Sequence, residues 1–157
     1  MEKNIRRIQT RGILTRTIAR LKQQGNTIVF TNGCFDLVHP GHIAIFKQAK
    51  QKGDVLVVGM NSDKSVKKIK GPTRPILNER ARSLLVSAIR YVDYVVLFDE
   101  ETPYQLIRAI RPDYLVKGGD WKPGEIVGRD LVKKVFRVKL IKTYSTTNII
   151  KKIVRGA

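Results

Sequence analysis

Short apolar runs alternate with amphipathic stretches along most of this chain. Five runs have the length and the β-branched content of strands, and they cover residues 27–31, 55–60, 92–98, 114–117 and 135–141. The run at 55–60 has no polar position, which is typical of a parallel strand buried on both faces.

Apolar residues at helical spacing separate these runs. Leu14, Ile18 and Leu21 form the stripe of a first helix, which Gly25 ends. Further helices are predicted to begin at Pro40, Asn78, Thr102, Gly128 and Ser145 or Thr146. The expected inward residues of the Asn78 helix and of the last helix are Ala81, Leu84, Leu85, Ala88, Ile89, Ile149, Ile150 and Ile153.

This alternation predicts an α/β fold, a Rossmann-like doubly wound parallel sheet of about five strands with helices on both faces. Residues 1–157 are expected to form a single domain, with an N-terminal helix in residues 1–25 packed on it. Such sheets bind ligands at the carboxyl ends of their strands, near the switch in strand order. We therefore expect the polar residues that follow the predicted strands to meet in one crevice.

The segment His39-Pro40-Gly41-His42 contains both histidines of the chain and lies directly after the first strand. Pro40 suits the first turn of a helix, so the two imidazoles lie three residues apart at a positive helix end. Unpaired N–H groups and imidazoles at this position suit a phosphate and the charge of a phosphoryl transition state. The alternative interpretation is a pair of helix-capping or core histidines.

Several blocks in order carry a family resemblance. Residues 31–42, Thr-Asn-Gly-Cys-Phe-Asp-Leu-Val-His-Pro-Gly-His, resemble the signature of the nucleotidyltransferase superfamily with an HxGH motif. The further blocks are Asn61-Ser62-Asp63, the segment 70–75, Lys117-Gly118-Gly119-Asp120-Trp121 and the segment 144–150. Their combination is most similar to the D-glycero-β-D-manno-heptose 1-phosphate adenylyltransferases, which make ADP-heptose for lipopolysaccharide core.

The resemblance implies which residues form the site. His39 and His42 are expected to contact α- and β-phosphate oxygens, and Lys70 to approach a phosphate from a mobile basic loop at residues 67–75, with Lys68 as a rival. The expected nucleotide- and phosphate-binding residues are Thr31, Asn32, Gly33, Phe35, Arg80, Gly118, Asp120, Ser145, Thr146 and Thr147. Asp36 and Asn61 are expected on the substrate side, although a turn-capping role for Asp36 fits equally well.

The formal net charge of +18 raises a competing possibility, since so basic a chain is typical of nucleic-acid binders. The basic residues are spread from Lys3 to Arg155 rather than gathered in a tail, and no aromatic cluster of RNA-recognition type accompanies them. We therefore expect no specific nucleic-acid partner. Two histidines and one cysteine are too few for the usual structural zinc sites, so no protein-held metal is expected.

The single cysteine and the lack of a leader or of a long apolar run predict a cytoplasmic protein without a transmembrane segment. Cys34 is interpreted as a small buried filler in preference to a reactive thiol.

For function, the resemblance implies transfer of AMP from ATP, with Mg²⁺, to heptose 1-phosphate. It also implies a separate heptose kinase in the pathway and allows a homodimer. The alternatives are a cytidylyltransferase using CTP and glycerol 3-phosphate, or an FMN adenylyltransferase of the same fold.

Overall fold

The computed structural model describes residues 7–119, 123–139 and 143–156. The strands are β1 (Ile28–Gly33), β2 (Val55–Asn61), β3 (Tyr94–Phe98), β4 (Tyr114–Gly118) and β5 (Lys134–Val138). The helices are α1 (Arg11–Gln23), α2 (Pro40–Lys50), α3 (Asp63–Lys70), α4 (Glu79–Ser87), α5 (Tyr104–Ile110) and α6 (Thr146–Gly156), with 3₁₀ turns at Pro123–Glu125 and Arg129–Leu131.

The five strands form one parallel sheet in the order β3-β2-β1-β4-β5. Successive strands extend the sheet outward from β1 to β3, and the chain then returns to place β4 on the other side of β1. The strand order therefore reverses between β1 and β4, where a crevice opens at the carboxyl ends. The predicted doubly wound fold is confirmed.

Alternate residues of each strand serve two cores. Ile28 and Phe30 of β1 pack in the core that contains α1 and α5, whereas Val29 packs in the core that contains α2 and α4. All three side chains are fully buried. This two-residue period is what places helices on both faces.

The amino-terminal ends of β1, β4 and β5 are connected by one carboxylate. Asp113, just before β4, accepts a hydrogen bond at 2.9 Å from the backbone N–H of Ile28, the first residue of β1. Its other oxygen lies 2.8 Å from the Nζ of Lys133, next to β5. Asp113 thus connects three strands at the edge opposite the crevice.

Two predicted segments have a different secondary structure. Residues 63–70 form helix α3, so the basic segment expected to be a loop from residue 67 begins as a helix. Ser62 caps this helix by accepting from the N–H of Ser65, and only Ser65 and Val66 are buried within it, which left no apolar stripe to detect. The helix predicted around residues 128–134 is instead the 3₁₀ turn at Arg129–Leu131.

The burial pattern of α4 was predicted wrongly. Leu84 and Leu85 are 40% and 47% exposed, whereas Arg82, Ser83, Val86 and Ser87 are buried. Helix α4 therefore turns a mostly polar face toward the strand ends, where Arg82 donates to backbone carbonyl oxygens.

The last helix does not face inward as predicted. Among its described residues none is buried, and Ile153 and Val154 are 61% and 72% exposed. Ile149 and Ile150 are half-buried. In the described part of the chain, no helix has both the length and the apolar character needed to cross a membrane.

The inverted face of α4 gives a stability prediction. Val86→Ala removes two fully buried methyl groups and should lower the free energy of unfolding by about 2 kcal/mol. Leu85→Gln, one residue earlier and half exposed, should change it by no more than about 0.5 kcal/mol. Urea denaturation of both variants checks this, and equal losses would contradict the assigned face.

Candidate active site

A cavity of about 520 Å³ lies at the carboxyl ends of β1, β2 and β4. The last turn of α3 and the first turn of α6 complete its wall. Of the residues predicted from sequence, the following line it: Thr31, Asn32, Gly33, Phe35, Asp36, His42, Asn61, Lys70, Gly118, Thr146 and Thr147. The strand ends thus gather in one place most of the residues that the chain spreads over more than a hundred positions.

The histidine turn, residues 39–42, both caps helix α2 and reaches the cavity. His39 is the N-cap of α2, and its Nδ1 accepts a hydrogen bond of 3.1 Å from the N–H of Gly41. The capping alternative therefore describes His39 correctly. Because Nδ1 is the acceptor, the proton of a neutral His39 lies on Nε2, which remains available as a donor. His39 itself is not among the cavity residues.

His42 lies on the cavity wall and is the more buried of the two. Its ring stacks on that of His39 with centroids 3.8 Å apart and meets the Phe35 ring edge-on at 5.1 Å. Its Nδ1 is buried without a hydrogen-bond partner among the described residues. Burial, and secondarily the neighbouring His39, lowers the pKa of His42 to about 4. The ring is therefore neutral at pH 7 in the free protein.

The loop after β1 follows a path fixed by Phe35. This residue has a φ of +47°, the left-handed region, and its side chain is buried. A Cβ at Gly33 would lie 3.0 Å from the Phe35 ring, so the glycine allows the ring to close under the loop. The backbone of residues 31–33 is thereby held open to the cavity.

Asp36 anchors the segment that follows α3. Its carboxylate accepts from Arg74 Nε at 2.6 Å and from the backbone N–H groups of Ile76 and Leu77 at 2.7 and 3.1 Å. The Asp36 side chain is almost fully buried. Both Asp36 and Arg74 line the cavity, so this contact fixes the wall that carries Lys70.

The buried arginine next to the site is Arg82. Its guanidinium donates to the carbonyl oxygens of Cys34 and Asn61 at 2.6 and 2.9 Å and to that of Leu77 at 3.0 Å. It also pairs with Asp63 at 2.7 Å. Arg82 thereby joins the loop after β1, the end of β2 and the turn before α4.

The structure does not bring Arg80 to the cavity. Arg80 is exposed on α4, whereas Arg82, two residues on, is fully buried. A helix turns by about 200° over two residues, so only one of the pair can face the strand ends. The sequence offers no clear signal for Arg82, because its face of the helix is mostly polar and the apolar stripe runs through the exposed Leu84 and Leu85.

Lys117 lines the cavity although the sequence analysis gave it no role. It is the penultimate residue of β4, and its Nζ donates to Oδ1 of Asn32 at the end of β1. Burial lowers the pKa of Lys117 to about 8. A lysine ending an otherwise apolar strand, next to glycines, was the signal available.

The last block contributes a helix start. Ser145 caps α6 by accepting from the N–H of Asn148 at 3.1 Å, and it is not among the cavity residues. Thr146 and Thr147 do line the cavity, and they belong to the first turn of α6. Asp120, the remaining predicted residue, lies outside the described residues, as does Trp121.

Asn61 and Cys34 also line the cavity, and both are at least half-buried. Asn61 is buried and donates from Nδ2 to Ser65 Oγ at 2.9 Å. Cys34 is half-buried, and burial raises the pKa of its thiol, which keeps it protonated at neutral pH. Among the described residues no three His, Cys, Asp or Glu side chains form a group that could hold a metal ion.

A family model described as cytidylyltransferase-like matches residues 30–152 of this chain. The bifunctional protein HldE of Wolinella succinogenes is 50% identical over 147 residues, which are 94% of this chain and 31% of that protein. The bifunctional protein HldE of Campylobacter jejuni subsp. doylei is 53% identical over 133 residues, covering 85% of this chain and 29% of the relative. The chain thus spans about a third of the length of the curated relatives it matches.

Two solved structures share the fold. The lipopolysaccharide core biosynthesis protein from Thermoplasma volcanium has a TM-score of 0.61 at 29% identity, over 74% of this chain and 97% of that chain. The pantoate-beta-alanine ligase of Francisella tularensis was solved with beta-gamma ATP and beta-alanine. It has a TM-score of 0.60 at 17% identity, over 90% of this chain and 74% of that chain. The second likeness concerns the fold alone.

The burial of His42 predicts an unusual titration. With only two histidines, an NMR titration of wild type and of His39→Gln assigns each ring. We expect His42 to titrate near pH 4. Since an unfolded histidine titrates near 6.5, the unfolded state binds more protons between these values, and His42 should reduce stability as the pH falls through that window. A His42 midpoint at or above 6.5 would contradict the assigned burial.

The two arginines of α4 should differ sharply in their effect on stability. Arg82→Met leaves three backbone carbonyl oxygens and Asp63 without the donor that Arg82 provides, so it should lower the free energy of unfolding by about 3 kcal/mol or more. Arg80→Met is the matched control and should cost no more than about 0.5 kcal/mol. Chemical denaturation followed by circular dichroism compares them, and a reversed order would refute the position given to Arg82.

Proposed function

Because this chain belongs to the cytidylyltransferase-like family, we propose that it transfers AMP from ATP to D-glycero-β-D-manno-heptose 1-phosphate. The products are ADP-heptose, for lipopolysaccharide core synthesis, and pyrophosphate. The proposal is supported by the ordered sequence blocks that resemble heptose 1-phosphate adenylyltransferases and by the HldE relatives that are about half identical. A structural relative carries the description of a lipopolysaccharide core biosynthesis protein.

The observation that carries the proposal is the cavity at the strand-order switch. Residues from the start of α2 and from the first turn of α6 lie on its wall, together with Lys70 and Lys117. Both helices have eleven residues and turn the positive ends of their dipoles toward the cavity, although the Gly41 and His42 N–H groups of α2 are already bonded to Nδ1 and the carbonyl oxygen of His39. Such a wall is suited to several phosphate groups at once.

In the proposed reaction, an oxygen of the sugar 1-phosphate attacks the α-phosphorus of ATP. The new P–O bond joins AMP to the sugar phosphate, the bond between the α-phosphorus and its bridging oxygen to the β-phosphate breaks, and pyrophosphate leaves with the electron pair. The attacking oxygen is already anionic, so no strong general base is needed. Catalysis then consists of positioning and of stabilising charge on the phosphoryl oxygens.

His39 and His42 stabilise that charge from the start of α2. The Nε2–H of neutral His39 donates to a phosphate oxygen while Nδ1 keeps its bond to Gly41. His42 is neutral before ATP binds, and the negative charge of the phosphates raises its pKa toward protonation. A proton gained with the ligand places positive charge in the site only when phosphate is there to meet it.

Lys70 and α6 hold the outer phosphates. Lys70 is the last residue of α3, on a wall segment fixed by the Asp36–Arg74 pair. Thr146 and Thr147 offer hydroxyl and N–H donors from α6. Together they align pyrophosphate as the leaving group.

Mg²⁺ is expected to accompany ATP. The described residues lack a group of three metal-ligating side chains, which fits an ion held mainly by substrate phosphates and water. An ion bound in that way would supply positive charge against the phosphates of the substrate. The acceptor must be supplied by a sugar kinase acting on the anomeric hydroxyl, and we expect the reaction to take place in the cytoplasm, where ATP is available.

The decisive assay is pyrophosphate release from ATP or CTP with D-glycero-β-D-manno-heptose 1-phosphate and Mg²⁺. Wild type should turn over with ATP, and His42→Ala should lower kcat by about 100-fold or more, because a donor to the developing charge is removed. Lys47→Met, an exposed residue of α2 away from the cavity wall, is the matched control and should retain wild-type kcat.

Turnover with CTP instead of ATP would move the assignment to a cytidylyltransferase. A folded protein that binds ATP without turnover on this acceptor would refute the heptose assignment. Full activity of His42→Ala would remove His42 from the mechanism.

A further inference from the structure

Lys117 lies at the point where the sheet reverses its strand order. It belongs to β4, and its Nζ contacts Oδ1 of Asn32 on the neighbouring strand β1. Both side chains line the cavity. The ammonium group is therefore fixed by a neutral amide at the centre of the crevice, where its orientation depends on the sheet rather than on a surface rotamer.

This ammonium has no carboxylate partner in the part of the chain that the structure describes. The six ion pairs found there do not include Lys117. Asp36, a carboxylate on the same wall, is committed to Arg74 and to two backbone N–H groups. Desolvation is the cause of the depressed Lys117 pKa, which is the expected response of a buried cation that lacks a counter-charge.

The other titratable groups around the cavity come from several elements. They are Cys34 and Asp36 after β1, His42 on α2, Lys70 on α3, Arg74, Glu101 and Glu125. The shift of Lys117 is attributed to burial and to none of these charges.

We propose that Lys117 Nζ binds a phosphate group of a bound substrate, which supplies the counter-charge that Lys117 lacks in the ion pairs of the described residues. An ammonium group has three N–H donors, and one is used by Asn32, so two remain for phosphate oxygens. Asn32 thus acts as the positioning residue that aims the ammonium. The inference rests on the proposed function for the identity of the ligands, ATP and a sugar 1-phosphate, either of which carries the required group.

Phosphate binding at Lys117 must be coupled to proton uptake. With a pKa of about 8, Lys117 is mostly neutral at pH 8.5 before a ligand binds, and a phosphate beside it restores the positive charge. At that pH the phosphates of ATP and of a sugar 1-phosphate are already ionised, and pH 8.5 lies far above the titration range of His42, whose pKa is about 4. Proton uptake at pH 8.5 therefore reports on Lys117.

The test is isothermal titration calorimetry at pH 8.5 in two buffers of different ionisation enthalpy, with ATP and with a sugar 1-phosphate as separate probes. Wild type should take up between half a proton and one proton with at least one probe. Lys117→Met should lose this uptake and bind that probe about 10- to 100-fold more weakly. Lys117→Arg keeps a fixed charge and should recover part of the affinity with no proton uptake. Lys47→Met should match wild type in both respects.

Uptake with ATP alone assigns the phosphate to the nucleotide, and uptake with the sugar phosphate alone assigns it to the acceptor; both support the proposal. Wild-type uptake and affinity in Lys117→Met, or no uptake by wild type with either probe, overturns it. Adenosine should bind wild type and Lys117→Met equally, and a loss there would reveal a merely structural role. Lys117→Gln provides a second variant if Lys117→Met fails to fold. Proton uptake that persists without heptose turnover would refute the proposed function while leaving the role of Lys117 intact.

Discussion

The architecture of the cavity depends on one buried guanidinium. Arg82 is fully buried and satisfies carbonyl oxygens from the loop after β1, the end of β2 and the turn before α4, while Asp63 balances its charge. Each of these segments leaves the sheet edge with polar backbone groups that the parallel ladder cannot pair. A planar group with five donors can satisfy several of them together, which a lysine cannot. The strand ends are thereby fixed before any ligand arrives.

A second ion pair extends this order to the turn after α3. Asp36 holds Arg74 and the backbone of Ile76 and Leu77, so the turn after α3 is attached to the loop after β1. The charges of Arg74 and Arg82 are therefore both paired within the protein, with Asp36 and Asp63. Of the basic side chains on the cavity wall, Lys70 and Lys117 are in no ion pair with another described residue. Under the proposed function, the side chains that bind phosphate are thus separate from the contacts that hold the cavity open.

The sequence predicted the sheet and the histidine turn because both rest on local patterns. Apolar runs such as Val55–Asn61 are buried along their whole length, and Pro40 begins its helix as expected. Helix α4 could not be predicted in the same way. Its leucines face solvent and Arg82 faces inward, since the acceptors of Arg82 come from segments 21 and 48 residues away. Hydrophobic periodicity contains no information about such distant acceptors, and Arg80, expected in the site from the family resemblance, lies on the exposed face instead.

The electrostatics of the site follow from the same separation. His42 and Lys117 are both held in less polar surroundings than water, and both pKa values are shifted toward the neutral form. These shifts limit the positive charge of the cavity wall despite the net charge of +18 on the chain. Under the proposed function, a bound polyphosphate would reverse that balance, because each proton taken up would be stabilised by the ligand that induced it. In such a site, cations repel one another less before the substrate binds. The positive charge then develops only when a phosphoryl group is present. The same coupling is expected for any phosphorylated acceptor that the cavity admits, because it depends only on the burial of Lys117 and on its lack of a carboxylate partner among the described residues.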